Sequence, residues 1–223
     1  MSDTLIVFLK QPQPGAVKTR LAEVLGPETA AELYRAMAEE VVRRTHPRGG
    51  EYRRFFFYTP DEARCEMGGW FPVETWLPQR GEDLGARMVA AFDEAFRRGA
   101  RRTAIIGTDA PSVSRERVIE ALEALGNDHD LAIGPTADGG YYLLALARPR
   151  PELFEGIAWS TPSVLAQTLE RAATLGLRVR LLKPLSDIDT MADVRSEWPQ
   201  LKALLQGRPT LAAALAAALE DER

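Results

Sequence analysis

The sequence predicts an α/β protein, a mostly parallel sheet with helices on both faces. Three observations carry that prediction. Short apolar runs of strand length alternate with stretches of three- and four-residue apolar periodicity along the whole chain. The first run, Leu5–Leu9, is continuously apolar rather than alternating, the pattern of a strand covered on both faces. No linker, repeat or low-complexity stretch interrupts the 223 residues, so the chain reads as a single domain, 1–223, with C-terminal helices 191–223 as an extension.

Taken in order, Leu5–Leu9 is the first strand. Ala30, Leu33, Met37 and Val41 recur at helical spacing and predict a helix over Pro27–Arg44, with Pro27 in its first turn. Arg53–Tyr58 is aromatic and strand-like. Leu84, Met88, Phe92 and Phe96 mark a helix, and Thr103–Gly107 is another buried strand. Val118, Leu122 and Leu125 give a helix, Leu131–Gly134 a strand and Tyr141–Ala147 a longer apolar one. Val164, Leu165, Leu169 and Ala172 form a helical face, and Leu177–Leu182 alternates as a strand does. One long last helix is expected after Thr190, with Val194, Trp198, Leu201 and Leu205 inward. Strands separated by helices imply βαβ crossovers, and ligands in such sheets bind at the carboxyl ends of strands.

A net charge of −4, with 45% hydrophobic and 27% charged residues, gives no reason to expect a nucleic acid or a membrane as partner. The one cysteine, Cys65, excludes an internal disulfide and fits a reducing compartment. With no basic region or small-residue cleavage site at the start, the expectation is a cytoplasmic protein. The tail Leu211–Leu219 is too short to span a bilayer and reads as a surface helix.

Four stretches hold candidate chemistry. Leu9-Lys10-Gln-Pro-Gln-Pro-Gly15-Ala-Val-Lys18-Thr-Arg20 follows strand one with three cations and no acid before Glu23. It fits neither the dinucleotide nor the Walker A pattern, since Val17 precedes the lysine. A stiff loop leading cations to a helix start suits a polyanion, although solvated surface cations would look the same. In Ile106-Gly-Thr-Asp109-Ala-Pro a carboxylate stands where a buried strand runs out, suited to Mg²⁺ or Mn²⁺ or to a plain Asx turn. Asp187-Ile-Asp189 places two acids on one side of extended backbone, a candidate completion of a metal site with Asp109, although acids are also favoured before a helix start. Thr190 with Asp193 imitates a capping box, which accounts for one acid there but not two. Asp138-Gly139-Gly140 is a tight turn between strands, or a surface that lets substrate lie against main chain while Asp138 binds hydroxyls. Asp83 and Arg87 open a helix, as a cap or as contacts to a base or ribose. Trp159 is a helix staple or a stacking platform. His46 and His129 have no evident partners.

The order Lys10…Lys18-Thr-Arg20-Leu, Asp83-Leu-Gly85-Ala-Arg87-Met, Ile106-Gly-Thr-Asp109-Ala-Pro, Gly134-Pro-Thr-Ala-Asp138-Gly-Gly-Tyr-Tyr and Trp159-Ser-Thr resembles the transferase-1 family associated with radical-SAM/selenodomain proteins. Some members of that family are arsenosugar-biosynthesis glycosyltransferases. The resemblance runs from about Leu5 to Val194. It implies a GT-A-like, nucleotide-diphospho-sugar transferase fold of three α/β/α layers, related to 2-phospholactate guanylyltransferase. It implies metal on Asp109, shared with Asp187 or Asp189, and phosphate-binding and catalytic roles for Lys18 and Arg20. Asp-x-Asp is absent at the metal position, where Thr108-Asp109-Ala110 stands.

The expected function is a metal-dependent transferase using a nucleotide-activated donor. The first choice is a glycosyltransferase passing a sugar from a nucleotide-diphospho-sugar to a small-molecule acceptor. The alternatives are a nucleotidyltransferase releasing pyrophosphate and a non-catalytic nucleotide-binding module. Lys10, Gly15, Asp83, Arg87, Asp138, Gly139, Gly140 and Trp159 are the candidate substrate contacts.

Overall fold

The computed structural model describes residues 2–72, 74–126 and 128–221; the last two residues of the expected extension lie outside these. Seven strands form one sheet: β1 (Ser2–Lys10), β2 (Arg53–Thr59), β3 (Thr75–Pro78), β4 (Ala100–Ile106), β5 (Leu131–Pro135), β6 (Tyr141–Leu146) and β7 (Val179–Leu181). Their order is β3-β2-β1-β4-β6-β5-β7. All neighbours run parallel except β6, which is antiparallel to both β4 and β5. The turn that reverses β5 into β6 is the Asp138-Gly139 stretch.

Both faces of the sheet are covered, which is why β1 has no polar alternation. Leu5, Val7 and Leu9 pack on one side with α2 (Pro27–Arg44) and α5 (Arg115–Ala124). Ile6 packs on the other with α4 (Leu84–Arg97) and α6 (Val164–Thr174). Each fully buried aliphatic side chain contributes roughly 1.5–3 kcal/mol, so these two layers dominate the stability. A third apolar cluster lies beside the sheet. It joins α1 (Thr19–Leu25) and α2 to α7 (Met191–Ser196), α8 (Trp198–Leu204) and α9 (Pro209–Asp221). Leu211, Leu215 and Leu219, four residues apart, turn one side of the expected surface helix inward.

Two sequence expectations change. The single helix after Thr190 is broken at Glu197, because Pro199 lacks the N–H that a continuous helix would use, and α8 restarts there. The segment between β2 and α4, given no elements above, holds α3 (Arg64–Trp70) and the four-residue edge strand β3. Among the described residues no helix is long and apolar enough to cross a membrane.

Strand β1 is central and β4 lies beside it, so the loop after β1 and the Gly107–Asp109 turn after β4 emerge side by side. The segment 182–189 runs across the same edge: Leu182 donates to Ile133, Leu185 to Pro135 and Ile188 to Asp109 main-chain oxygens at 2.8, 3.1 and 2.9 Å. Residues far apart in sequence therefore meet at the carboxyl ends of the strands.

Candidate active site

Lys18 forms the floor of that meeting point. It adopts a left-handed conformation, φ 49° and ψ 45°, just before α1. Its side chain is only 3% exposed. Three N–H donors of the ammonium find three acceptors. These are the Asp109 carboxylate, Asp189 Oδ1 at 2.6 Å and the Ile188 carbonyl at 2.6 Å. Burial opposes the charge on Lys18, but Asp109 and Asp189 outweigh it and hold the ammonium above its ordinary pKa. Desolvation likewise pulls Asp109 upward, and Lys18, helped by Lys10, overrides it to leave the carboxyl below its usual range.

Around this triad opens a cleft of ≈ 790 Å³, within the range of small-molecule sites. Lys10, Arg20, Asp83, Arg87, Asp138, Gly140, Trp159, Asp187 and Asp189 all line it with Lys18 and Asp109. Gly15 and Gly139 do not. Gly15 supplies a positive-φ turn in the exposed loop. Gly139, at φ +90°, lets the β5–β6 turn press against the chain at Pro162, whose carbonyl oxygen would lie 2.0 Å from any Cβ. The Gly139 carbonyl then accepts from Leu165 N–H at 2.8 Å.

The cations of the first loop differ in their fates. Lys18 is paired, whereas the side chains of Lys10 and Arg20 are exposed and make no ion pair among the described residues. Arg87 donates to the Gly81 carbonyl at 3.1 Å and makes no ion pair among the described residues. Asp83 caps α4, accepting from Ala86 N–H at 2.7 Å, and lines the cleft as well.

The same cleft also holds a group of acids around Asp187. Asp138 closes its own turn, accepting from Gly140 N–H at 3.0 Å and from the Thr136 hydroxyl at 2.5 Å. Thr190 and Asp193 form a complete capping box at α7, so neither Asp187 nor Asp189 is needed as a cap. Burial, followed by the nearby charge of Asp138 and then Asp189 and Asp193, pushes the Asp187 carboxyl up to about 6. Trp159 stacks on Phe154 with centroids 6.4 Å apart and lies against the first turn of α4. A Cβ at Gly85 would come within 2.6 Å of its indole.

The family model described as "Uncharacterized protein conserved in bacteria (DUF2064)" matches residues 42–161, more than half of the chain. The chain belongs to this family. The chain is 32% identical over 170 residues to a phosphoenolpyruvate guanylyltransferase of Chloroflexus aggregans (strain MD-66 / DSM 9485), a match spanning 74% of this chain and 81% of that one. It superposes with TM-score 0.86 and 32% identity on a protein of Desulfovibrio desulfuricans G20 assigned to the nucleotide-diphospho-sugar transferases, over 96% and 99% of the two chains. CMP:2-keto-3-deoxy-manno-octonic acid synthetase in complex with CTP shares the fold at TM-score 0.57 and 14% identity, over 93% and 99%. The fold is thus that of the nucleotide-diphospho-sugar transferases, and this DUF2064 protein is a transferase. The narrower link to radical-SAM-associated transferases rests on the motifs alone.

The site also tests the expected divalent ion. Among the described residues no three His, Cys, Asp or Glu side chains converge on one point. The two carboxylates that do meet, Asp109 and Asp189, each direct one oxygen at Lys18. Their second oxygens have no protein partner among the described residues, and the side chains are 53% and 41% exposed. Two half-exposed carboxylate oxygens with room for further ligands fit a hard cation such as Mg²⁺ or Mn²⁺. Asp187 stands outside this pair.

Sequence reasoning passed over Tyr34 and Ile188. The Tyr34 oxygen accepts from the Lys10 amide at 2.7 Å and the Thr108 hydroxyl at 3.2 Å, and burial pushes its pKa up to about 12. A polar tip beside Leu33 on an otherwise apolar helix face was the available signal. Ile188 looked like a spacer between two acids, and nothing local marks its carbonyl as a Lys18 acceptor.

Proposed function

We propose that the protein is a nucleotidyltransferase: it joins the nucleoside monophosphate of an NTP, with GTP as first choice, to a small phosphorylated acid and releases pyrophosphate. The observation that carries this reading is a fully paired ammonium between two half-exposed carboxylates, flanked by two unpaired cations in a nucleotide-sized cleft. The guanylyltransferase relative moves the choice from glycosyl to nucleotidyl transfer.

In this reading an oxygen of the acceptor phosphate attacks the α-phosphorus of the NTP. The bond from that phosphorus to the oxygen bridging it to the β-phosphate breaks, and pyrophosphate leaves. A phosphate nucleophile is already ionised near neutral pH, so no general base is required. Lys10 and Arg20 bind the β- and γ-phosphates and balance the charge that grows on the leaving group. Lys18 holds Asp109 and Asp189 apart and oriented. Asp83 and Arg87 face the base or ribose, and Asp138 and Trp159 border the acceptor. Asp109 and Asp189 would hold Mg²⁺ or Mn²⁺, with Asp187 the less favoured ligand; bound there, the ion would neutralise phosphate charge.

The test is incubation with Mn²⁺ or Mg²⁺, each NTP and phosphoenolpyruvate, and in parallel with UDP-, GDP- and dTDP-sugars. Pyrophosphate release, greatest with GTP, is the expected product. Free nucleoside diphosphate from a sugar nucleotide would replace this reading with glycosyl transfer. Saturable binding without either product would leave a non-catalytic module.

A further inference from the structure

The C-terminal helices contribute nothing to the cleft lining, yet they reach both sides of its central contact. Ile188 connects the two. Its N–H donates to the Asp109 main-chain oxygen at 2.9 Å, and its carbonyl accepts from Lys18 Nζ at 2.6 Å. Its side chain, 1% exposed, is embedded in the third apolar cluster with Leu205, Leu211 and Leu215. Leu21, three residues after Lys18 on α1, is fully buried in the same cluster. The main chain of one residue thus ties Asp109 to Lys18, while its side chain and that of Leu21 are buried in the apolar cluster to which α8 and α9 contribute.

Lys18 needs such support. A left-handed lysine without a side-chain cap costs free energy that its surroundings must offset. The ammonium has to stay within hydrogen-bond reach of three acceptors drawn from two distant segments. We infer that Ile188 is a positioning residue and that α8 and α9 are the bed that holds Lys18, Asp109 and Asp189 in register. The link to turnover rests on the function proposed above, but the arrangement itself can be tested without any nucleotide.

Lys18 is buried and triply bonded, whereas Lys10 and Lys183 are exposed and serve as internal standards. Amine acylation read by mass spectrometry therefore reports the arrangement directly. Leu215→Ala truncates a fully buried side chain of α9, a helix that contributes no residue to the cleft lining. Well below its melting temperature this variant is expected to acylate Lys18 at least about tenfold faster than the unaltered protein, with Lys10 and Lys183 unchanged. Leu215→Met, which refills the space, is expected to restore protection. Ile188→Val, a smaller change at the junction, is the second variant should Leu215→Ala not fold, and is expected to speed Lys18 acylation measurably. A folded Leu215→Ala or Ile188→Val protein with Lys18 as protected as before would overturn the inference, since a merely stabilising tail lowers the melting temperature alone. In turnover assays the same loss is expected as a raised KM for nucleotide, rescued by Leu215→Met. Protected Lys18 in the variants refutes the positioning role. Altered labelling with no pyrophosphate from any NTP refutes only the function proposed above.

Discussion

Asp187 and Asp189 stand two residues apart on one strip of extended chain, and their surroundings are opposite. Asp189 faces a buried ammonium and shares it with Asp109. Asp187 faces other carboxylates, and its carboxyl is pushed up to about 6 by burial and by Asp138. The contrast shows that two acids at i and i+2 need not form one ligand set. Around Asp189 the protein supplies a partly neutralising ammonium; around Asp187 it supplies only burial and further negative charge.

The largest expected effect comes from removing that ammonium. Lys18→Ala leaves Asp109 and Asp189 without the group that orients them, and turnover is expected to fall by at least about a hundredfold, as when positioned groups are displaced. The same variant is expected to bind Mn²⁺ alone more tightly, because the ion no longer competes with an ammonium. Electron paramagnetic resonance of free Mn²⁺ checks this, and binding unchanged from the unaltered protein would show that the carboxylates are not ligands.

Asp189→Asn and Asp187→Asn sharpen the comparison. Pyrophosphate release is expected to drop about a hundredfold for the first and by less than about tenfold for the second. Equal losses would mean that the two acids act together after all.

Stability against pH separates them further. The folded-state carboxyl of Asp187 binds its proton more tightly than an unfolded one, whose ordinary value is 3.8. Ionised Asp187 is therefore a destabilising charge above pH 6, relieved as pH falls towards 4. Asp187→Asn is expected to melt higher than the unaltered protein at pH 8, with the advantage shrinking through pH 6 and gone near pH 4. A constant difference across that range would point to a packing effect instead.

The smallest effect belongs to the neighbour that does the capping. Asp193→Ala breaks the capping box at Thr190 and is expected to cost about 1 kcal/mol, a fall of about 2–4 °C in melting temperature, with KM little changed.

What could be read in advance follows from the range of the interactions. Helix Pro27–Arg44 was legible to the residue, because its apolar spacing and N-terminal proline are local signals. The clustering of Lys10, Lys18, Asp109, Asp138 and Asp189 at one edge was also legible, because each lies where a strand or turn ends. The edge strand Thr75–Pro78 was not, since one exposed and three half-exposed residues carry no period. Nor was the pairing of Lys18, whose partners lie 91 and 171 residues away. The loop that looked like three free cations holds two, and only the folded sheet reveals which one is spent.

Gly85 in α4 lies directly against Trp159, whose side chain lines the cleft. Hydrogen at position 85 lets the indole rest on the helix; a methyl there would overlap ring atoms at 2.6 Å and force the ring to shift. The seat of this cleft-lining ring therefore depends on a single missing carbon on a helix.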